Sequence, residues 1–255
     1  MLPIKEIESL ARERTKNVVS VTHDFDHLRR TATGASWFVK VLGGSREEQE
    51  MAYGAGLLHD MVRPASEKVD HAKASAEESE RILSKLGIDK ETKKLMVQAI
   101  RDHRLPVAWT SPLHQSVYLA DKILEQMGAF VAFRRCYYVG ESEDYKGTDM
   151  EKAFRKHFAY RMERIKKTDF PGSVDRLVGY QWKWLQDFFA LLNREESWTL
   201  DMGGQMFKAA RKRANLESAI RSYKPDAKEA ERYKKETVDY LDGRKFRGFG
   251  KLIDV

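Results

Sequence analysis

The stretch Leu57-Leu58-His59-Asp60 decides the fold and the chemistry that we predict for this chain. It ends a run of apolar and small residues that begins at Met51, and such a run is typical of a buried helix. An imidazole and a carboxylate follow each other where that helix should end. A His-Asp pair is common in proteins, so its meaning depends on whether other parts of the chain supply further ligands.

Helical periodicity extends from this stretch over nearly the whole chain, and no period-two pattern of useful length predicts a strand. Residues that favour helix N-caps precede most of the apolar repeats. These residues are Thr22 or Asp24, Ser45 in a capping box with Glu48, Asp70, Asp89, and Ser111 before Pro112. We therefore predict an all-α fold.

The chain has 255 residues, of which 42% are hydrophobic and 33% are charged, enough for a core and a polar surface. A single cysteine, Cys136, excludes an intrachain disulfide and a cysteine-based zinc cluster. The first 14 residues are rich in charge where a signal peptide would be apolar, and no apolar run approaches the ~20 residues of a membrane span. We expect a cytoplasmic protein.

Met202-Gly203-Gly204 predicts a hinge, which divides the chain into a domain over residues 1–200 and a basic helical C-terminal extension over residues 201–255. From Lys208 onward the chain has 14 Lys and Arg against 8 Asp and Glu, which accounts for most of the net charge of +7. This tail could bind nucleic acid or form a solvated charged surface, and we favour the surface because no nucleic-acid-binding motif accompanies the charge.

Other residues could complete a metal site with His59 and Asp60. His27 and Arg30 are three residues apart, so they share one face of a predicted helix. Asp121 interrupts an otherwise apolar helix face, where a carboxylate costs several kcal/mol unless it is paired or bound to a metal. Two imidazoles and two carboxylates suit a divalent ion such as Mn²⁺, Fe²⁺, Co²⁺, Ni²⁺ or Zn²⁺.

The ordered series of His27, His59-Asp60 and Asp121 on successive helices resembles the HD-domain superfamily of metal-dependent phosphohydrolases. The resemblance implies an HD-domain helical bundle in which these four residues hold a divalent metal ion, with Mg²⁺ as a further candidate. His71 and His103 match two other histidines of the family. Each could bind phosphate or a second metal, and an ordinary structural role is equally open.

The segment after Asp121, including residues 128–140 and His157-Phe158, is similar to a subgroup of nucleotide pyrophosphohydrolase-like proteins. This similarity implies a nucleotide substrate, with a nucleoside triphosphate cut to the monophosphate and pyrophosphate. Asp60 would orient the attacking water or accept its proton. The groups expected to stabilise charge on the phosphates are Arg30, Lys68, His71 and His103.

Several alternatives remain open at this stage. His23 competes with His27 as the first ligand, and Asp121 could instead be a core acid paired with Arg30 or Lys122. The subgroup often has an acidic residue soon after the doublet, but this chain has Arg63, so Glu67 or Lys68 would have to substitute. The alternative activities are a nucleotide phosphomonoesterase or phosphodiesterase, and a non-enzymatic alternative is a nucleic-acid-binding module that uses the basic tail.

Overall fold

The computed structural model describes residues 2–16, 20–62 and 70–254, and this part of the chain contains helices and no strand. The all-α prediction is therefore confirmed. The helices are α1 (Ile4–Thr15), α2 (Phe25–Val41), α3 (Arg46–Leu58), α4 (His71–Lys85), α5 (Lys90–Arg101), α6 (Pro112–Leu119), α7 (Ala129–Glu141), α8 (Met150–Lys166), α9 (Asp175–Asn193), α10 (Ser197–Arg211), α11 (Leu216–Ser222), α12 (Lys228–Leu241) and α13 (Phe246–Phe249). A π-helical turn, Ala120–Leu124, follows α6.

Side-chain caps begin several helices at the positions that the sequence predicts. Each cap accepts hydrogen bonds from backbone N–H groups in the first turn, which have no partner within the helix. The capping residues are Asp24, Ser45, Asp70, Asp89 and Ser111, with a complete capping box between Ser45 and Glu48. None of the described helices has the length and apolar character that crossing a membrane would require.

The chain divides into two compact units. In the described residues, the first unit comprises 2–16 and 23–125, and the second comprises 20–22 and 126–254. The first unit therefore contains α1 to α6 and the π-helical turn, and the second contains α7 to α13.

The first unit is built around the packing of α2 against α3. Leu28, Phe38, Leu57 and Leu58 are fully buried in its core. Gly56 allows the two helices to approach closely, because a Cβ atom at this position would lie 2.4 Å from Cα of Ala32. This close packing holds the end of α3 beside α2.

In the second unit, α7 is the central helix and packs against α8, α9, α10 and α12. Residues 20–22 join this unit through Glu141, whose carboxylate accepts hydrogen bonds from the backbone of Val21 and from the hydroxyls of Ser20 and Thr22. The buried guanidinium of Arg134 donates to the carbonyl of Thr22 at 2.7 Å.

The predicted division at residue 200 falls within α10. The segment Met202-Gly203-Gly204, predicted as a hinge, lies inside α10 and is buried. A Cβ atom at Gly203 would lie 2.5 Å from the ring of Phe154, so this glycine serves close packing rather than a bend. Residues 201–254 belong to the second unit, and the boundary between the units lies between Glu125 and Gln126.

Candidate metal centre

The first turn of α2 positions His27. The Asp24 carboxylate caps this helix and accepts hydrogen bonds from the backbone N–H groups of Asp26, at 3.0 Å, and of His27, at 3.2 Å. The capped turn fixes the start of the helix, and the imidazole of His27 is buried. His23 lies beside it, with ring centroids 5.6 Å apart.

His59 and Asp60 follow the last turn of α3, and both are buried. Nδ1 of His59 lies 2.7 Å from the carbonyl oxygen of Gly56. Because a carbonyl oxygen only accepts, Nδ1 carries the proton and Nε2 presents its lone pair. His103 is held in the same way, with Nδ1 at 2.6 Å from the carbonyl oxygen of Ile100. Such a bond from the second ring nitrogen orients a histidine for metal binding.

Burial also keeps these imidazoles uncharged. It lowers the pKa of His59 to about 4, because the charged form loses its hydration in the core. Burial, together with the neighbouring His59, lowers the pKa of His103 to about 3. Both rings are therefore neutral near pH 7, which is the form that binds a metal ion.

Asp60 lies between two pairs of imidazoles. Its Oδ2 atom is 3.6 Å from Nε2 of His27 and 3.7 Å from Nε2 of His59. Its Oδ1 atom is 3.6 Å from Nε2 of His71 and 3.8 Å from Nε2 of His103. One carboxylate thus belongs to two groups whose ligand atoms lie within 4.8 Å of one another. This arrangement has the form of two adjacent cation positions that share Asp60.

Asp121 approaches the first of these groups from the π-helical turn, with Oδ1 at 3.9 Å from Nε2 of His27. Its Oδ2 atom accepts a hydrogen bond from Nζ of Lys122 at 2.6 Å. Burial alone would raise the pKa of Asp121, but Lys122 and the nearby imidazoles outweigh burial and hold it well below 3.8. The carboxylate is therefore ionised, and it has the Lys122 partner that the sequence left open.

Glu125 is a buried residue of this centre that the sequence analysis missed. Its carboxylate lies 2.9 Å from Nδ1 of His27 and accepts two hydrogen bonds from Arg30, from Nε at 2.9 Å and from a terminal nitrogen at 3.1 Å. The spacing of residues in the sequence could have indicated this role. Glu125 follows Asp121 by four residues and Arg30 follows His27 by three, and either spacing places two side chains on one face of a helix. The structure thus places Arg30, expected to bind phosphate, in a buried pair that orients His27.

The donor set fits a metal ion. Nε2 of His27 and Nε2 of His59 are buried and have no hydrogen-bond partner within the described part of the chain. Buried polar atoms are normally satisfied, so these two nitrogens call for a bound group. Neutral imidazoles and ionised carboxylates are suitable ligands for a divalent transition metal. Lys68, together with Arg63 and Glu67, lies outside the described residues.

Comparison with known proteins agrees with this geometry. Residues 24–125 match the family model of the HD domain. No curated protein and no solved structure gives a match. The matched segment ends at Glu125, the last residue before the boundary between the two units. Residues 24–125 therefore resemble the HD domain, a family of metal-dependent hydrolases, and their buried His-Asp cluster could hold a divalent metal ion.

Proposed function

We propose that this HD domain hydrolyses a nucleoside triphosphate to the nucleoside monophosphate and pyrophosphate. The observation that carries the proposal is the position of Asp60 between the His27–His59 pair and the His71–His103 pair. Support for a nucleotide substrate comes from the resemblance of residues 128–140 and His157-Phe158 to nucleotide pyrophosphohydrolase-like proteins.

In this proposal His27, His59, Asp60 and Asp121 hold one divalent ion. The Nε2 atoms of His71 and His103 face Oδ1 of Asp60, which makes them candidates for a second ion, while phosphate binding is their alternative role. A bound divalent ion supplies Lewis acidity toward a phosphoryl oxygen and lowers the pKa of water.

The surrounding residues orient the reacting groups. Glu125 positions the imidazole of His27, and Arg30 neutralises the buried Glu125 carboxylate. Asp60 orients the attacking water, and an oxygen of its side chain accepts a hydrogen bond from it. Lys122, whose side chain is 22% exposed beside Asp121, supplies a cation that can contact a phosphate. Lys68 keeps its predicted role toward the phosphates.

A nucleotide panel tests this function. The purified protein is stripped of metal, reloaded with Mn²⁺, and incubated with nucleoside triphosphates, nucleoside monophosphates and bis(p-nitrophenyl) phosphate. Pyrophosphate released from a triphosphate supports the proposal. Orthophosphate from a monophosphate identifies a phosphomonoesterase instead, and cleavage of the diester alone identifies a phosphodiesterase. Absence of any metal-stimulated turnover would overturn the enzymatic proposal.

The non-enzymatic alternative is binding of nucleic acid by the basic C-terminal segment, residues 201–255. Several of its cations are already paired with acids of the same segment, including Arg221 with Asp242 and Arg244 with Asp239. This internal pairing favours a solvated charged surface. Salt-sensitive retention on RNA or DNA, lost when Lys208, Arg211 and Lys212 are changed to Gln, would instead support binding.

A cytoplasmic location belongs to the same set of proposals and rests on the single cysteine.

A further inference from the structure

A cavity of about 530 Å³ lies in the first unit. Two of the residues that line it, Asp70 and Asp102, directly precede His71 and His103 in the chain. The Nε2 atoms of these histidines lie 3.6 and 3.8 Å from Oδ1 of Asp60. The backbone that lines the cavity therefore adjoins the backbone of His71 and of His103. Its volume is in the range typical of small-molecule sites.

Three cations from separate parts of the fold line this cavity. Lys73 belongs to α4, Arg101 ends α5, and Arg104 lies in the loop that follows. The side chains of Lys73 and Arg101 are exposed and make no hydrogen bond or ion pair within the described residues. Arg104 is paired with Asp70 at 3.4 Å. Among the described residues, Lys73 and Arg101 are therefore unpaired, whereas Arg104 belongs to an exposed ion pair with Asp70.

The two carboxylates of the cavity are both engaged by the protein. Asp70 caps α4 through the backbone N–H of Ala72 and also contacts Arg104. Asp102 lies 2.8 Å from Nε2 of the buried His114. Because these acids have partners, their repulsion of an anion is reduced, whereas the cations remain able to attract one.

The loop that carries Arg104 is anchored at both ends. At the start of the loop, the Asp102 carboxylate contacts the ring of His114. At the end of the loop, Ser111 caps α6 by accepting a hydrogen bond from the backbone N–H of His114, and the hydroxyl of Thr110 lies 3.1 Å from Nδ1 of His114. This double attachment holds the Arg104 backbone in place near His103. A fixed position reduces the ordering that a ligand would have to impose.

We propose that Lys73, Arg101 and Arg104 form a subsite for the pyrophosphate leaving group of the substrate. A pyrophosphate carries three to four negative charges, which matches three converging cations better than a single orthophosphate does. The proposal rests on the proposed triphosphate hydrolysis, in which the phosphate that reacts is bound at the metal centre. The subsite selects substrates with two further phosphates beyond the bond that breaks.

Direct binding tests this subsite without turnover. Metal-free protein is titrated calorimetrically with inorganic pyrophosphate and with orthophosphate at low salt. The wild-type protein should bind pyrophosphate more tightly than orthophosphate. The double variant Lys73→Ala with Arg101→Ala should lose about tenfold in affinity for pyrophosphate. Lys90→Ala removes an exposed cation from the other end of α5 and should change nothing.

Kinetics separate this inference from the proposed function. With Mn²⁺, the double variant should raise KM for a nucleoside triphosphate about tenfold and leave the hydrolysis of bis(p-nitrophenyl) phosphate unchanged, because that substrate has no pyrophosphate. If no substrate is hydrolysed by the wild-type protein, the proposed function fails, whatever the binding data show. If the wild-type protein hydrolyses triphosphates and the double variant retains its KM and its affinity for pyrophosphate, the subsite is overturned. A second result would also overturn the subsite. If Leu105→Ala raises KM for the triphosphate while the double variant binds pyrophosphate as tightly as the wild-type protein, the cavity holds the nucleoside and not the pyrophosphate.

Discussion

Replacement of Glu125 by Gln should weaken both the fold and the metal centre. The side chain is fully buried, and its carboxylate accepts from Nδ1 of His27 and from two nitrogens of Arg30. The amide of Gln has one accepting oxygen and adds an NH₂ group that faces donors. It also leaves the guanidinium of Arg30 buried without a counter-charge.

The structure sets the size of this effect. Breaking a buried ion pair by removing one partner typically costs about 3–5 kcal/mol, so we expect the free energy of unfolding to fall by about 3 kcal/mol or more. Loss of the bond to Nδ1 of His27 should weaken metal affinity by about 10- to 100-fold, because that bond orients the ligand. The double variant Glu125→Gln with Arg30→Met should recover part of the stability, since it removes the unpaired charge, but not the metal affinity.

Urea denaturation of the metal-free protein and Mn²⁺ titration of the folded protein measure the two effects separately. Glu13→Gln is the control, because Glu13 is exposed and pairs with Lys16 at the surface, where ion pairs contribute little. Wild-type stability and wild-type Mn²⁺ affinity in Glu125→Gln would refute the reasoning. Reduced stability with unchanged metal affinity would show that Glu125 supports the fold and does not position His27.

Three further predictions concern the ligands, the helix packing and the response to pH. Asp60→Ala should abolish binding of Mn²⁺, measured by metal analysis, while circular dichroism shows nearly unchanged helix content, since other helices bury their cores independently of this side chain. Gly56→Ala should lower the free energy of unfolding, measured by urea denaturation, by about 1–3 kcal/mol, because the new Cβ would lie 2.4 Å from Cα of Ala32. The control is Gly179→Ala, which has open space around it and should be neutral or stabilising. Burial, with two nearby arginines, lowers the pKa of His157 from 6.5 to about 2, so the unfolded state binds the extra proton between these values. The contribution of neutral His157 to stability is therefore complete above pH 6.5 and falls by about 1.4 kcal/mol for each pH unit below that value. The urea midpoint of His157→Gln should decline less steeply with falling pH than the midpoint of the wild-type protein. Equal slopes for the two proteins would contradict this prediction.

The helices and their starts were predictable because they depend on local sequence. Apolar spacing and capping side chains act within one or two turns, so Asp24, Ser45 and Ser111 mark helix starts both in the sequence and in the structure. The candidate ligands were identified by residue type and order along the chain. Glycine was less informative, because Gly203 is equally compatible with a hinge and with the close helix packing that the structure contains.

What the sequence by itself determined is the all-α class, the helix caps and a set of side chains able to bind a divalent metal. Only the tertiary structure decided that the units divide after Glu125, that Glu125 joins His27 to Arg30, and that Asp60 faces two pairs of imidazoles. The physical reason is range. Periodicity and capping are encoded between neighbouring residues. The contacts of Glu125 with His27 and Arg30, and of Asp60 with His27 and His103, instead join residues 33 to 98 positions apart and depend on how the helices pack.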